Sequence, residues 1–490
     1  MITLKAKDVK LSTGGPLIAI LNQKDAQRLN LQALDRIKIT RGKKEVVAAV
    51  DVSESTEVKQ GQIGLFKELI EELELKKSVL LKVSTSQVPK SIEIIKKKLD
   101  KKELTKKELF MIIDNLTKNE LTEIEITYFV SSCYLNGLTD NETKYLTQAI
   151  VKYGDKLKLN KKIIADKHCI GGIPNNRTTM LVVPIVAAAG ITMIKTSSRS
   201  ITSPAGTADT MESLAKVTFT TSEIKKIIEK VNSCIVWGGA IDLANADEKL
   251  IKVRHPLRID PRGLMLASIL AKKAAVNSTH LLIDIPIGKT AKIQTKKQAK
   301  PLKRHFEKLG KQLGIKTKVI ITNGSQPIGK GVGPNLEARD ILYILRKDPL
   351  APKDLEKKSL AMADEIFKIT KTKASAKDIL NSGKAYQKFM EIIKAQRGNP
   401  KIKPIDLKLG KLQHTIKSPR SGKVVEINNR TISKIARLAG SPYDKEAGVY
   451  LNIKLKDKIK KNQPLMIIYS NSKSKLNSAN SEVKGAIKIK

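Results

Sequence analysis

Over residues 1 to about 84 the apolar positions come in short alternating runs. Ile37 and Ile39 precede Arg41-Gly42-Lys43, and Val46-Val47-Ala48-Ala49-Val50 follows it. A period of two marks half-buried strands and the glycine between basic residues reads as a turn, so this segment predicts a small β-rich domain, 1–84. The period then changes. Ile92, Ile95 and Leu99 are spaced for a helix, and a Thr-x-x-Glu signature recurs at Thr105/Glu108, Thr122/Glu125 and Thr139/Glu142. In each, the threonine oxygen can accept from a free N-terminal amide while the glutamate reaches back, which starts three helices in succession. A helical lobe over 85–160 follows.

From Lys161 the pattern alternates strand with helix. Apolar runs at Lys162 to Ala165, Ile191 to Ile194, Cys234 to Trp237, His280 to Ile285 and Lys318 to Ile321 read as strands of an α/β lobe, 161–214 and 236–400. The amphipathic stretch Glu223 to Val231 is expected to rejoin the helical lobe through residues 215–235, making that lobe discontinuous. Gln396-Arg397-Gly398-Asn399-Pro400 breaks the pattern. Beyond it, strands at Gly422 to Ile427, Val449 to Leu455 and Leu465 to Ile468 with a helix near Thr431 to Leu438 predict a C-terminal α+β domain, 401–490, with a polar, frayed tail from Ser470. The fold class expected is thus α/β and α+β multidomain, with a mixed sheet in the α/β lobe.

The chain has 490 residues, enough for about three domains. With 41% hydrophobic and 29% charged residues it is not disordered throughout. Cys133, Cys169 and Cys234 lack CxxC spacing, which points to a reducing compartment, and no apolar leader follows Lys5, Lys7 and Lys10, so the expected location is cytoplasmic. The longest uncharged stretch, Thr178 to Ile194, is shorter than the ~20 residues of a membrane helix and contains Pro184 and Gly190; no membrane association is expected. Against 48 Asp and Glu stand 92 Lys and Arg, a formal +44. That excess attracts polyanions, so a basic nucleic-acid-binding protein is one reading. The lysines, however, are spread along the whole chain and aromatics are only 3%, too few for base-stacking platforms. A lysine-rich proteome or saline cytosol accounts for the charge more simply, and no specific nucleic-acid partner is expected.

Three loops carry candidate chemistry. Asp166 to Thr179 leads from a strand into an apolar helix, with Lys167 for charge, Gly171-Gly172 for close backbone approach and Thr178 at a helix start. It matches neither GxxxxGK[ST] nor GxGxxG, and by composition a plain turn fits as well as a phosphate cradle. Lys195 to Asp209 places seven hydroxyl side chains around Arg199, suited to an oxyanion or a sugar, or simply to a polar surface loop. Arg254 to Arg262 sets Asp260 among three arginines, an ion-pair cluster or an acid, with Ser268, Lys272 and Lys273 beyond it. Gly329 to Pro334 reads as a loop that shapes a cleft. His168, His255 and His280 share no ligand spacing, so no metal is expected.

Together, Lys167-His168-Cys169-Ile170-Gly171-Gly172, Ser197-Ser198-Arg199 to Gly206-Thr207, Leu266-Ala267-Ser268 with Lys272-Lys273, and Gln396 to Pro400 resemble the thymidine/pyrimidine nucleoside phosphorylase family over residues 85 to 470. Nucleoside-specific members carry Gly-Arg-x-Leu-Gly-His-Thr-Gly-Gly-Thr where this chain has Ser198 to Thr207. With the added N-terminal domain and Arg258-Ile259-Asp260-Pro261-Arg262, the chain is most similar to the archaeal branch that acts on nucleotides.

The resemblance implies phosphorolysis of AMP, and of CMP and UMP, with inorganic phosphate as co-substrate, giving free base and ribose 1,5-bisphosphate without a cofactor. It assigns Lys167, Cys169, Thr178, Ser197 and Thr207 to inorganic phosphate. It assigns Gly172, Ser198, Arg199, Ser200, Ile201, Thr202, Ser203, Thr207, Ser268 and Lys292 to the nucleotide, Lys272 to the base, and Asp260 to proton donation. Cys169 stands where the family usually has serine, and a thiol is the weaker donor. Two lobes around a cleft, a homodimer through the helical lobe and larger homo-oligomers are further implications. A nucleoside phosphorylase is the alternative activity.

Overall fold

The computed structural model of the chain describes all residues except 55, 77, 158, 201, 202, 241–244, 255, 257 and 258. The chain forms two compact units, Met1–Gly154 with Ala244–Ala271, and Asp155–Leu243 with Lys272–Lys490.

In the first unit, strands β1 (Ile2–Asp8), β2 (Ile18–Asn22), β3 (Arg36–Arg41), β4 (Lys44–Ser53), β5 (Gln62–Leu65) and β6 (Leu80–Thr85) close into a barrel in the order β1-β5-β2-β4-β3-β6. Alternate residues fill it, among them Leu21, Ile37, Ile39, Val50, Ile63, Leu81 and Val83, all buried. Closure leaves no sheet edge unpaired, which is how so small a β-domain avoids a sticky rim. The expected turn joins β3 to β4, with Gly42 at φ 58°.

Four helices follow, Ser91–Leu99, Lys106–Thr117, Glu123–Asn136 and Asp140–Tyr153. All three expected capping boxes are formed, at Thr105, Thr122 and Thr139. Their core of Leu109, Ile113, Phe129, Leu146 and Ile150 is completed by Ala246, Leu250, Leu264 and Ala267. The returning segment is therefore Ala244–Ala271, not 215–235. Residues 221–231 do form an amphipathic helix, but its buried face of Ile224, Ile227, Ile228 and Val231 packs into the α/β core instead. A stripe specifies that a helix has a partner, not which partner.

The second unit is built on β7 (Ile164–Cys169), β8 (Thr192–Ser197), β9 (Ser233–Trp237), β10 (His280–Ile287) and β11 (Lys316–Asn323), in the order β11-β10-β7-β8-β9. Every pairing is parallel, which corrects the expected mixed sheet. β7 starts later than expected and runs on through Asp166, Lys167, His168 and Cys169, because its pairing with β10 continues as far as Cys169 opposite Asp284.

The C-terminal part has two antiparallel sheets. One orders β12 (Gly331–Val332), β15 (Gly448–Leu451), β17 (Pro464–Ser470) and β13 (Leu412–Lys417); the other orders β16 (Lys458–Ile459), β14 (Gly422–Ile427) and β18 (Ile487–Ile489). Both pack on the helix Asn429–Ala439. The tail beyond Ser470 is not frayed. It forms the helix Lys473–Ser481 and then β18, and Ala479, Ala486 and Ile489 anchor it in the core.

β9 ends the parallel sheet, and its outer edge is closed by the Val217 carbonyl, which accepts from the Trp237 amide at 2.8 Å, and by one buried side chain from the breaker cluster. Gln396 donates from Nε2 to the carbonyls of Ile235 (2.8 Å) and Lys216 (2.9 Å), and its Oε1 accepts from the Ile235 amide (2.9 Å). An amide side chain thus stands in for a sixth strand. Gln396→Leu keeps the bulk but strands these buried groups, so it is expected to lower unfolding stability by about 3 kcal/mol, measured by chemical denaturation.

Candidate active site

Parallel strands all end on one side of the sheet, so whatever their carboxyl ends carry is gathered there. Here that edge carries buried charge. Lys167 is 1% exposed and donates to Thr178 Oγ1 (2.5 Å) and Thr179 Oγ1 (3.4 Å). Asp166 pairs with buried Lys273 at 2.7 Å and accepts from the Lys167 amide at 2.6 Å. Lys195, also buried, donates to the Thr196 carbonyl at 2.6 Å. On β10, Asp284 pairs with Lys358 at 2.9 Å and accepts from Thr322 Oγ1 at 2.5 Å. Loss of water lowers the affinity of Lys167 and Lys195 for their protons, Lys195 far more so because Lys273 and Lys167 repel it. Burial works to raise Asp284, but Lys358 and Lys167 outweigh it and hold the carboxyl below its ordinary range.

The glycine loop leaves β7 with Gly171 and Gly172 at φ 89° and 92°. A Cβ at Gly172 would lie 2.6 Å from the Lys292 amide nitrogen, so this glycine is required by close approach as well as by φ. Two residues assigned to the nucleotide are thereby neighbours. Cys169 Sγ accepts from Asn176 Nδ2 (2.9 Å) and the Gly171 amide (3.4 Å). Burial pushes this thiol up to about 11. Thr178 precedes the helix Thr179–Ala188 without capping it, leaving its hydroxyl to Lys167.

The hydroxyl loop is folded around Asp209, whose Oδ2 accepts from the amides of Ser200 (2.7 Å) and Gly206 (2.8 Å). Ser203 Oγ donates to the Ala205 carbonyl at 2.9 Å, and Ser200 Oγ to the Ser203 carbonyl. Arg199 is bound bidentately by Glu212 (2.7 and 2.8 Å) and lies over the Trp237 ring, so its guanidinium braces the loop. Ser198 is exposed. Ile201 and Thr202 lie outside the described residues. Arg177 ties the two loops together, donating to Thr207 Oγ1 (3.0 Å) and the Ala205 carbonyl (2.5 Å) while pairing with buried Glu337 (2.5 Å).

Among the described residues, buried polar atoms here without a hydrogen-bond partner include Thr196 Oγ1, Ser197 Oγ, Asn175 Oδ1 and Asn176 Oδ1. Unsatisfied buried hydroxyls beside surplus cations are what an oxyanion would complete. No three His, Cys, Asp or Glu side chains among the described residues are grouped to hold a metal.

Asp260 and Ser268 belong to the first unit. Asp260 pairs with Arg254 at 3.3 Å, within a recess of about 360 Å³ lined also by Cys133, Tyr134, Leu138 and Arg262. Ser268 donates to Asp247 at 2.6 Å. His255 and Arg258 lie outside the described residues. Lys272 belongs to the second unit and bears electrostatically on His168, whose proton affinity burial and the surrounding lysines depress strongly.

Sequence reasoning missed Asp284, Lys358, Glu337 and the organising roles of Asp166, Arg177 and Asp209. Asp284 had a signal: a lone carboxylate inside the apolar run Leu281 to Ile287. Lys358 had none, since only folding brings it to Asp284.

A helical bundle, a parallel α/β unit and an anion-suited edge together define a glycosyltransferase. Family models agree: the glycosyl transferase family helical bundle domain matches residues 92–154, its a/b domain 161–338, and the pyrimidine nucleoside phosphorylase C-terminal domain 423–490. An AMP phosphorylase of Pyrococcus horikoshii is 46% identical over 97% of this chain and 95% of its own, and one of Thermococcus kodakarensis 43% identical over 95% and 93%. A Legionella pneumophila protein provisionally named a thymidine phosphorylase is 40% identical over 91% and 86%. The anthranilate phosphoribosyltransferase of Thermus thermophilus shares the fold, with a TM-score of 0.52 at 16% identity over 62% of this chain and 99% of its own. The chain belongs to the AMP phosphorylase family.

The raised Cys169 thiol leaves only about one part in a thousand as thiolate at pH 8. Iodoacetamide is expected to label it far more slowly at pH 8 than a free cysteine peptide, with the rate climbing toward pH 11, as read by mass spectrometry of the tryptic peptide.

Proposed function

We propose that the chain carries out phosphorolysis of nucleoside 5′-monophosphates, AMP and also CMP and UMP, to free base and ribose 1,5-bisphosphate. The observation that carries this reading is the pair of adjoining anion-suited loops on one sheet edge, tied by Arg177 and holding unpartnered hydroxyls. One anion is the attacking phosphate and the other is the 5′ group of the substrate. The names of the relatives at 43–46% identity point the same way.

In this reading Lys167, Cys169, Thr178, Ser197 and Thr207 hold inorganic phosphate. An oxygen of that phosphate forms the bond to C1′ as the C1′–N bond breaks, and the electron pair of that bond passes to the base. Asp260 serves as the proton donor to the departing base nitrogen, which lowers the barrier where negative charge develops. Gly172, Ser198 to Ser203, Thr207, Ser268 and Lys292 hold the nucleotide, and Lys272 faces the base. Arg199 contributes by bracing the loop that contains it.

The helix Glu123–Asn136 leaves Ile124, Tyr128, Tyr134 and Leu135 exposed, which supports a homodimer through the helical lobe, and larger homo-oligomers extend that reading. Among the described residues no helix is long and apolar enough to cross a membrane, in keeping with action in the cytoplasm. The Legionella relative favours the second reading, a nucleoside phosphorylase.

Product analysis separates the two. Adenine is expected from AMP only when phosphate is present, with little from adenosine; adenosine or thymidine cleaved far faster than AMP would establish the second reading. Asp260→Asn is expected to lower kcat by roughly 10²–10⁴ with nucleotide binding largely kept. A variant with full turnover would return Asp260 to an ion-pairing role.

A further inference from the structure

The glycine loop from Ile170 to Arg177 is irregular, so its shape must be imposed by what touches its outer side. Two neighbouring loops do so. Lys292 abuts Gly172, and Gly324 is packed so closely on Ile173 that a Cβ there would come within 2.7 Å of its Cδ1. The Ile328 amide donates to the Pro174 carbonyl at 3.3 Å. Asn175, itself at φ 55°, donates to Asp340 at 2.6 Å, and the same Asp340 oxygen accepts from the amides of Lys330 (2.7 Å) and Gly331 (2.9 Å).

Both of these loops are in turn held by the C-terminal domain. Asn429 donates from Nδ2 to Thr290 Oγ1 (3.0 Å) and to the Gly324 carbonyl (2.9 Å), joining one loop to the other. Lys454 donates to the carbonyls of Pro327 (3.2 Å) and Gly329 and pairs with Asp354 at 2.6 Å, while Asp354 accepts from the Gly329 amide at 3.2 Å. The Leu455 amide donates to Gln326 Oε1 at 2.7 Å. One ammonium and one amide therefore satisfy three carbonyls, those of Gly324, Pro327 and Gly329, in the loops that press on the glycine loop.

We propose that Lys454 and Asn429 are positioning residues through which the C-terminal domain sets the affinity of the glycine loop for inorganic phosphate. This rests on the reading of that loop as the phosphate site. Neither side chain bonds to Lys167, Thr178 or Cys169; the effect runs through Gly329, Asp340 and Asn175, and through Gly324 and Ile173. A lysine is suited to the task because three donors on one point can serve two carbonyls and a carboxylate at once. Loss of that tie frees the loop by a fraction of an ångström, which weakens a preorganised anion site without touching the groups that do the chemistry.

The test is steady-state kinetics of the full chain with AMP, varying phosphate and nucleotide separately. Lys454→Met is expected to raise KM for phosphate by roughly tenfold, leaving kcat at saturating phosphate and KM for AMP within about a factor of two, and Lys454→Arg to recover most of the loss. A merely structural role would instead lower kcat with both KM values unchanged, and that outcome, or an unchanged phosphate KM, overturns the proposal. Should Lys454→Met not fold, Asn429→Ala is read by the same criteria. If the wild-type chain shows no phosphate-dependent turnover of AMP, it is the functional reading that fails, and the two failures are told apart in one experiment.

Discussion

Too much positive charge is buried at the carboxyl edge of the parallel sheet for the protein to neutralise. Lys167, Lys195 and Lys273 are buried there, and Lys358 nearly so, while Asp166 and Asp284 are the carboxylates paired with them. Removing ammonium groups from water is costly, and the depressed proton affinities of Lys167 and Lys195 report that cost. On the proposed reading, a phosphate in the site would supply the missing countercharge and the acceptors that Thr196 and Ser197 lack within the protein. The imbalance that is costly within the protein would on that reading contribute binding energy for an anion. The parallel arrangement makes this possible, because only in such a sheet do β7, β8 and β10 deliver their polar ends to one side.

Charge alone would leave the loops without shape, and buried carboxylates provide it. Asp209 folds the hydroxyl loop by collecting the amides of Ser200 and Gly206; Glu337 receives Arg177 and Thr210; Asp340 gathers Asn175 with the amides of Lys330 and Gly331. Burial dominates the last two, raising Glu337 and bringing Asp340 to about 6, yet the converging donors still hold each loop to its hub. Glu337 and Asp340 reach residues far away in the chain, whereas Asp209 closes a local loop.

This division explains what could be read from the chain. Elements with local signals were legible: the three Thr-x-x-Glu caps, the turn at Gly42, the strand Gly422–Ile427 and the glycine and hydroxyl loops. What failed was partner choice. The stripe of Ile224, Ile227, Ile228 and Val231 says helix but not which core receives it, and a polar tail hides three small anchors, Ala479, Ala486 and Ile489. The candidate site was found by motif, whereas its supports Asp284, Lys358, Glu337 and Lys454 were not, since each acts only on a neighbour that folding supplies. Arg199 shows the converse: the resemblance assigned it to the nucleotide, while its partners within the protein, Glu212, Asp209 and Trp237, could not be read from the chain.

On the proposed reading, affinity and discrimination come from different parts of the site. Lysines are compact charges with rotatable donors and attract any phosphate, so the sheet edge by itself would not separate one phosphorylated molecule from another. Hydroxyls and backbone amides are directional, and Asp209 fixes the Ser200 and Gly206 ends of the hydroxyl loop by accepting from their amides. A side chain at Gly206 would meet the Arg199 carbonyl carbon at 2.7 Å and the Ser200 nitrogen at 2.8 Å, so only glycine lets the loop double back on itself. By its resemblance to the family, the chain differs from nucleoside-specific members between Ser198 and Thr207 and keeps Lys167 with Gly171 and Gly172. That is the pattern expected when a common anion cradle is retained and the second phosphoryl group is recognised by reshaping the directional loop beside it.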